Sequence, residues 1–527
     1  MHDLLRDELI GVSTPQGERR VDLPQLLSLL CAAEVEGYTG LRAHQAEPWH
    51  VFLVQLATAV LARQPSATPP PDPDYWRAGL LLLAAGKASA WHLHVEDSTQ
   101  PAFMQHPWSS PDAKIEGYEK VKACTPDELD VLVTAKNHDV KAARFCRPDP
   151  KAWLYALLTL QTTEGYLGAG NFGIVRMNGG FASRAILSWA NDLHPARRFL
   201  EALPIVLAHR ADILAHGRYG YRADGVVLTW LHPWRRSDHQ YTLSDLDPCF
   251  IEACRPLRLG LDANENLLAL GATSAARQIG PKSPDGGDVG DPWTAINVED
   301  KKKGASALTV SSQGFSPKLV TDLLFAQGYE LSPLQTPRAG PTAGWLVGSV
   351  LVRGQGKTDG LHRLELPVPA KARQSFARPM GDAQSAQRKR LAEQAQTLLT
   401  DAKHAAAALR TALTVLAQGG PEQADFDREA IKHWVAAVQR DFERDWPLHY
   451  YPALWRCCDE DPEVVLRDWR TLLVQNARRV LDQASTRLPL PANRRWRALT
   501  QSHSAFMGVL SKHSLLPTKP EPQERNT

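Results

Sequence analysis

The 527-residue chain has little net charge: 60 Lys and Arg against 58 Asp and Glu leave +2. That excludes a strongly basic, histone-like protein and, taken alone, argues against a nucleic-acid partner. Cysteine is scarce. The seven (Cys31, Cys124, Cys146, Cys249, Cys254, Cys457 and Cys458) are odd in number and irregularly spaced, which argues against a disulfide framework and for a reducing compartment. Cys249 and Cys254 form a lone C-x₄-C, which without a second pair is not a zinc site, and the apolar residues between them point to core thiols. No apolar run approaches the ~20 residues that cross a bilayer. Acidic Asp3, Asp7 and Glu8 stand where a secretion signal would be basic and then apolar. No internal repeat is visible. The expectation is a cytoplasmic protein with no membrane partner. Hydrophobic residues make up 43 %, enough for a folded globular chain, and the 15 tryptophans are expected mainly as core anchors.

Pattern along the chain predicts an α+β protein: a large mixed α/β N-terminal domain (1–380), a C-terminal four-helix bundle (381–515) and a disordered tail (516–527). A hairpin is expected around Thr14-Pro15-Gln16-Gly17. Helices are expected at Leu23–Ala33, His50–Arg63 and Tyr75–Ala90, and across 186–216. Lys151–Leu160 fits helix or strand. Short β-like runs fill 224–375, among them Val226–Trp230, Leu267–Ala269, Ala307–Val310, Leu346–Val352 and Leu361–Val368, interrupted by a flexible-looking PKSPDGGDVGDP loop (281–292). Beyond 380, helical periodicity covers 385–417, 425–445, 462–485 and 492–511.

Several motifs suggest chemistry. GAGNFG (Gly168–Gly173) matches a dinucleotide or kinase glycine loop, but Gly179-Gly180 would break the helix a dinucleotide site needs, and the other kinase segments are missing. It reads either as a structural turn or as a backbone-exposing loop near a phosphate chain, with Asn171, Arg176, Asn178 and Arg184 as donors to RNA or a neighbouring subunit. GQGKT (Gly354–Thr358) follows a strand, as a P-loop does, but strand alternation and prolines come after it where a P-loop requires a helix. It reads as a hairpin tip carrying Arg353, Gln355 and Lys357, a shape that fits a nucleic-acid groove. Lys301, Lys302 and Lys303 form either a solvated turn or a minor-groove probe. Arg478, Arg479, Arg487, Arg494, Arg495 and Arg497 have only Asp482 as local acid; some read as solvated helix faces, but their density points to DNA or subunit contacts. The alternative is a metal-dependent HD-type phosphohydrolase or nuclease built on His92, His94, Asp97, His138-Asp139 and Asp212, a permissive pattern in a chain with 18 histidines.

Taken in order, the segments DLLRDELIGV, VDLPQLLSLL, LRAHQAEPWHVFLVQLA, PAFMQ, GAGNFGIVRMNGGFASR, PCFIEACRPLRL, DPWTAINVEDKKKGASALTV and RGQGKTDGLHR, with the helical C-terminus, resemble the CasA family, the large subunits of type I-E CRISPR Cascade complexes. GNFGIVRMNGGF and GQGKTDGLHR are the most specific parts. The resemblance implies a non-catalytic subunit near the 5′ handle of the guide RNA. Such a subunit reads the PAM, the short motif flanking the target, from the minor groove. It then opens the duplex and helps recruit a helicase–nuclease. The implied partners are CRISPR RNA, target double-stranded DNA, that helicase–nuclease, and the backbone, small and handle-binding Cascade subunits. The family's wedge glutamine falls on Gln355 between Gly354 and Gly356, and those glycines are expected to influence which PAM is preferred. Its lysine finger falls within Lys301–Lys303, with Lys302 the first choice. Some relatives carry paired CxxC motifs; this chain does not, and neither metal nor cofactor is expected.

Overall fold

The computed structural model describes residues 2–129, 149–180, 182–234, 240–280, 284–299, 304–354, 357–376, 382–421 and 424–516. The chain divides into two compact units. One comprises 1–316, 322–338 and 342–367; the other comprises 317–321, 339–341 and 368–527. The division falls at 367/368 where the sequence suggested 380, and two short earlier segments join the second unit.

The first unit begins with the hairpin β1 (Ile10–Thr14) and β2 (Gly17–Val21), paired from Ile10↔Val21 to Thr14↔Gly17. Gly17 takes φ +116°, a conformation that suits glycine at this turn. Helix α1 (Leu23–Cys31) starts at a capping box: the Asp22 carboxylate accepts from Gln25 N at 2.7 Å, while the Gln25 side chain accepts from Asp22 N. Strand β3 (Gly37–Thr39) pairs with β1. Helix α2 (Ala43–Arg63), buried on almost every face, packs against α3 (Pro73–Leu83), α4 (Pro150–Thr163) and α5 (Pro195–His216). Its Trp49 and Phe52 stack, and Phe103 continues the aromatic cluster to Trp91 and Trp230, all fully buried.

The sequence reading made 186–216 helical throughout. Instead β4 (Ile186–Ala190) precedes α5, and the alternation of small and bulky residues in ILSWA is masked because both faces are buried. Strand β5 (Val226–Leu228) pairs in parallel with β6 (Leu246–Ile251), and β7 (Leu257–Leu261) forms an antiparallel hairpin with β8 (Leu267–Gly271). Residues 307–310, expected as a strand, contribute only the pair Ser306–Ala307. The longest strands, β9 (Gly344–Gly354) and β10 (Lys357–Val368), complete a three-stranded sheet with β4.

In the second unit α6 (Asp382–Ala417) is the central helix, packed against α10 (Ala492–Lys512), α9 (Pro462–Arg487) and α7 (Glu429–Asp445). Leu398, Ala402, Ala405, Leu409 and Leu413 supply its buried stripe, and Trp469 and Phe506 fill the facing helices. A further helix, α8 (Pro447–Arg456), lies between the segments 425–445 and 462–485 that the sequence marked as helical. Pro447 stands at the first helical position, where its missing N–H costs nothing.

Candidate nucleic-acid interface

The β9–β10 hairpin stands on β4, with β9 paired from Trp345↔Ala190 to Ser349↔Ile186. Beyond Ser349 the strand continues for five residues, roughly 17 Å at ~3.4 Å each. Val350, Leu351 and Val352 in that extension are buried. Ser183 grips it: Ser183 N and Oγ both donate to Leu351 O (3.0 and 2.9 Å), and Leu351 N donates to Ser183 Oγ (2.7 Å). Strand, not helix, follows GQGKT, so the P-loop reading fails. Arg353, Gly354 and Lys357 end the two strands; Gln355 and Gly356, the expected wedge, lie outside the described residues.

The Gly-rich segment 165–184 opens no helix at Gly173, so it does not form a dinucleotide loop. Its glycines serve a backbone crossing. A Cβ on Gly173 would lie 2.5 Å from the Gly165 carbonyl carbon, and one on Gly165 would lie 2.3 Å from Ala182 O. Backbone hydrogen bonds from Tyr166 to Gly180 and from Ile174 to Glu164 tie the crossing, and Arg255 donates to the carbonyls of Gly165 and Phe172.

Two of the four polar residues expected to face RNA or a subunit point inward. Arg176, 3 % exposed, stacks 3.6 Å over Phe250, pairs with Glu252 (3.2 Å) and Asp291 (3.3 Å), and donates to Phe250 O. Arg184, also 3 % exposed, pairs with Asp291. Two cations thus face two carboxylates in the interior. Burial raises the Asp291 pKa, but Arg184 and Arg176 outweigh it and hold the carboxyl below its ordinary value. At Glu252 burial prevails and the carboxyl sits above it. Guanidiniums committed in this way are latches for the loop and are not offered to an external phosphate. Asn171 is half-buried; Asn178 is exposed and donates to Thr309 Oγ1. The 281–292 segment, expected to be flexible, is anchored where described: Asp288 and Asp291 are buried, and Tyr219 donates to Asp288 at 2.8 Å.

The Gly-rich segment, the hairpin root and the chain following the lysine run converge. Arg176, Asn178, Ser183, Arg184, Thr309 and Val352 are among the residues lining one cleft of about 270 Å³. Lys301, Lys302 and Lys303 lie outside the described residues, but the stem that carries them is the antiparallel pair Ile296↔Ala307 and Asn297↔Ser306, next to that cleft. The role of Ser183 and the acidic partners of Arg176 and Arg184 were missed. Two arginines set in apolar sequence were the available signal that buried carboxylates had to exist elsewhere.

In the bundle, Arg478 lies 3.9 Å from Asp482, and Arg479 pairs with Asp445 (3.0 Å) and Asn476 (2.8 Å). Arg494, Arg495 and Arg497 are exposed on the first turns of α10. The HD pattern does not assemble among the described residues: His92 faces Asp3 (3.5 Å), Asp97 accepts from Thr99, and Asp212 is exposed on α5. His138 and Asp139 lie outside the described residues, within which no cluster of three or more His, Cys, Asp or Glu is placed to hold a metal ion. Burial raises both core thiols, Cys254 to about 12. No described helix is long and apolar enough to cross a membrane.

No family model and no curated protein matches the sequence. Solved structures do. CasA of Thermus thermophilus superposes with a TM-score of 0.63 at 16 % identity, covering 97 % of this chain and 99 % of that one. The fold is that of CasA. The CRISPR-associated protein Cse1 of Acidimicrobium ferrooxidans shares it at a TM-score of 0.62 and 14 % identity, covering 98 % of this chain and 99 % of that one. So does a chain of a structure described as a CRISPR RNA-guided surveillance complex, at 0.60 and 12 %, covering 96 % of this chain and 99 % of that one. The CasA fold therefore extends through both units, including the bundle.

Proposed function

We propose that the chain is the non-catalytic large subunit of a type I-E CRISPR RNA-guided surveillance complex, partnered by CRISPR RNA and the other Cascade subunits. In this role it recognises the PAM from the minor-groove side and opens target double-stranded DNA, after which the helicase–nuclease is recruited. The observation that carries the reading is the convergence of hairpin root, Gly-rich segment and lysine stem on one cleft, within a CasA fold that covers 97 % of the chain. A two-stranded projection with a fixed root suits a wedge, because a wedge that flexed would transmit little force to a base step. Minor-groove reading suits a short, tolerant motif, since that groove carries a degenerate code. Unstacking a base step costs a few kcal/mol, offset by insertion of the wedge and by guide pairing. In this account Gln355 is the wedge and Lys301–Lys303 carry the minor-groove finger. The test is a mobility-shift titration of the assembled complex: Gln355→Ala and Lys301–Lys303→Ala weaken target-duplex binding while the chain stays folded. Unchanged affinity would reject the residue assignment.

A further inference from the structure

The corner between α9 and α10 combines three features that folding alone does not reward. All fifteen tryptophans are described, and Trp496 is the only exposed one, at 80 %. Close to it in sequence are Arg487, which closes α9, and Arg494 and Arg495 on the first turn of α10, all exposed. None of these three makes an ion pair among the described residues. Helix α10 contains no Asp or Glu along its 21 residues. Its N-terminus is also the positive end of the helix dipole, where cations are unfavourable and anions are welcome.

The corner has a defined support. The Arg494 stem lies over the Gly419 turn, with its Cδ 3.5 Å from where a Cβ on that glycine would stand. Main-chain atoms of Arg497 and Ala498 press against Gly420. The first turn of α10 is therefore seated on the turn that ends α6.

One ligand chemistry satisfies all three features together. A polyanion neutralises the guanidiniums and the helix end, and a flat π-face covers the indole. An acidic peptide supplies only the charge. A duplex supplies phosphates but keeps its base faces stacked within the helix. An unpaired strand supplies both, with phosphates for arginine and open base faces for tryptophan. We propose that this corner is a docking point for single-stranded nucleic acid, with Trp496 stacked on an unpaired base and Arg487, Arg494 and Arg495 on the flanking phosphates. The site needs neither a PAM nor a wedge. If the duplex is opened as proposed above, the displaced strand is one that becomes available to it.

The test uses the full chain alone and a fluorescein-labelled oligo-dT, read by anisotropy across a salt series, so that its failure is separate from failure of the duplex-opening role. Trp496→Ala lowers affinity roughly 5- to 150-fold, the range spanned by loss of one base–aromatic stack, and Trp496→Phe keeps most of it. The double variant Arg494→Gln with Arg495→Gln weakens binding and flattens the salt dependence. Thermal melts of all variants overlay, because these side chains are exposed. Equal affinity of Trp496→Ala and the unaltered chain would overturn the proposal. Displacement of the oligonucleotide by poly-glutamate at matched charge would also overturn it, in favour of an acidic protein surface.

Discussion

Replacing Asp291 by Asn is the sharpest probe of how the Gly-rich segment is held. The variant keeps size, but it turns one acceptor oxygen into an amide donor facing a guanidinium and removes one of two buried carboxylates, leaving Glu252 beside Arg176 as the remaining anion. Breaking a buried ion pair from one side costs about 3–5 kcal/mol, because the remaining charge has lost its partner and has no water. The segment also carries Ser183, which fixes Leu351 at the hairpin root, so the damage reaches the hairpin. The assay is a urea transition followed by tryptophan fluorescence, for which Trp293 near Arg184 is a local reporter. The expected result is a lower midpoint corresponding to about 3–5 kcal/mol. Arg184→Gln should behave similarly. A loss below about 1 kcal/mol for Asp291→Asn would mean a hydrated, dispensable pair, as at a surface. Loss of RNA binding by Arg184→Gln at unchanged stability would show that the guanidinium serves a phosphate, and the interior latch would be refuted.

Other outcomes follow from the same geometry. Gly173→Ala places a methyl group 2.5 Å from the Gly165 carbonyl carbon, so it should destabilise the fold well beyond Gly168→Ala, which meets open space and bears only the strain of φ +112°; thermal melts of the two variants rank them. Ser183→Ala removes the acceptor for the buried Leu351 N–H and should cost about 1–3 kcal/mol, with faster hydrogen exchange at that amide. Burial lowers His106 to about 4, so the folded state holds it neutral. The stability this represents is complete above the unfolded value near 6.5 and is lost as pH falls from there toward 4, about 3 kcal/mol in all. Glu47 behaves differently. Burial raises its pKa, but Arg198 outweighs this and holds it at about 2, so its contribution survives to pH 4.5 and fades only below. A urea series from pH 7.5 to 4 should therefore show a decline that His106→Gln reduces.

Local signals with one physical meaning were readable in the sequence. The periodicity of Leu23–Ala33 marks α1, Thr14–Gly17 marks the first hairpin, and the Ala/Leu period of 385–417 marks α6. Where a signal had two meanings, tertiary context decided. ILSWA reads together with the helix after it, and pairing with β9 makes it a strand. Helix α8, opened by Pro447, carries no signal that the sequence reading used. The arginines of the Gly-rich segment looked like surface donors, because the residues that neutralise them, Glu252 and Asp291, lie 76 and 107 positions further on. Net charge hides local features for a related reason: a total of +2 averages over acid-free helix α10 and the lysine run.

The central claim is that the chain reads a PAM within a guide-bearing complex. Its most direct test is duplex binding by the complex assembled with guide RNA and the other Cascade subunits, comparing otherwise identical targets with and without the PAM. The account predicts tight binding and strand opening only with the PAM, and loss of that difference in the Gln355→Ala, Lys301–Lys303→Ala complex. Equal binding of the two duplexes by the unaltered complex would contradict it.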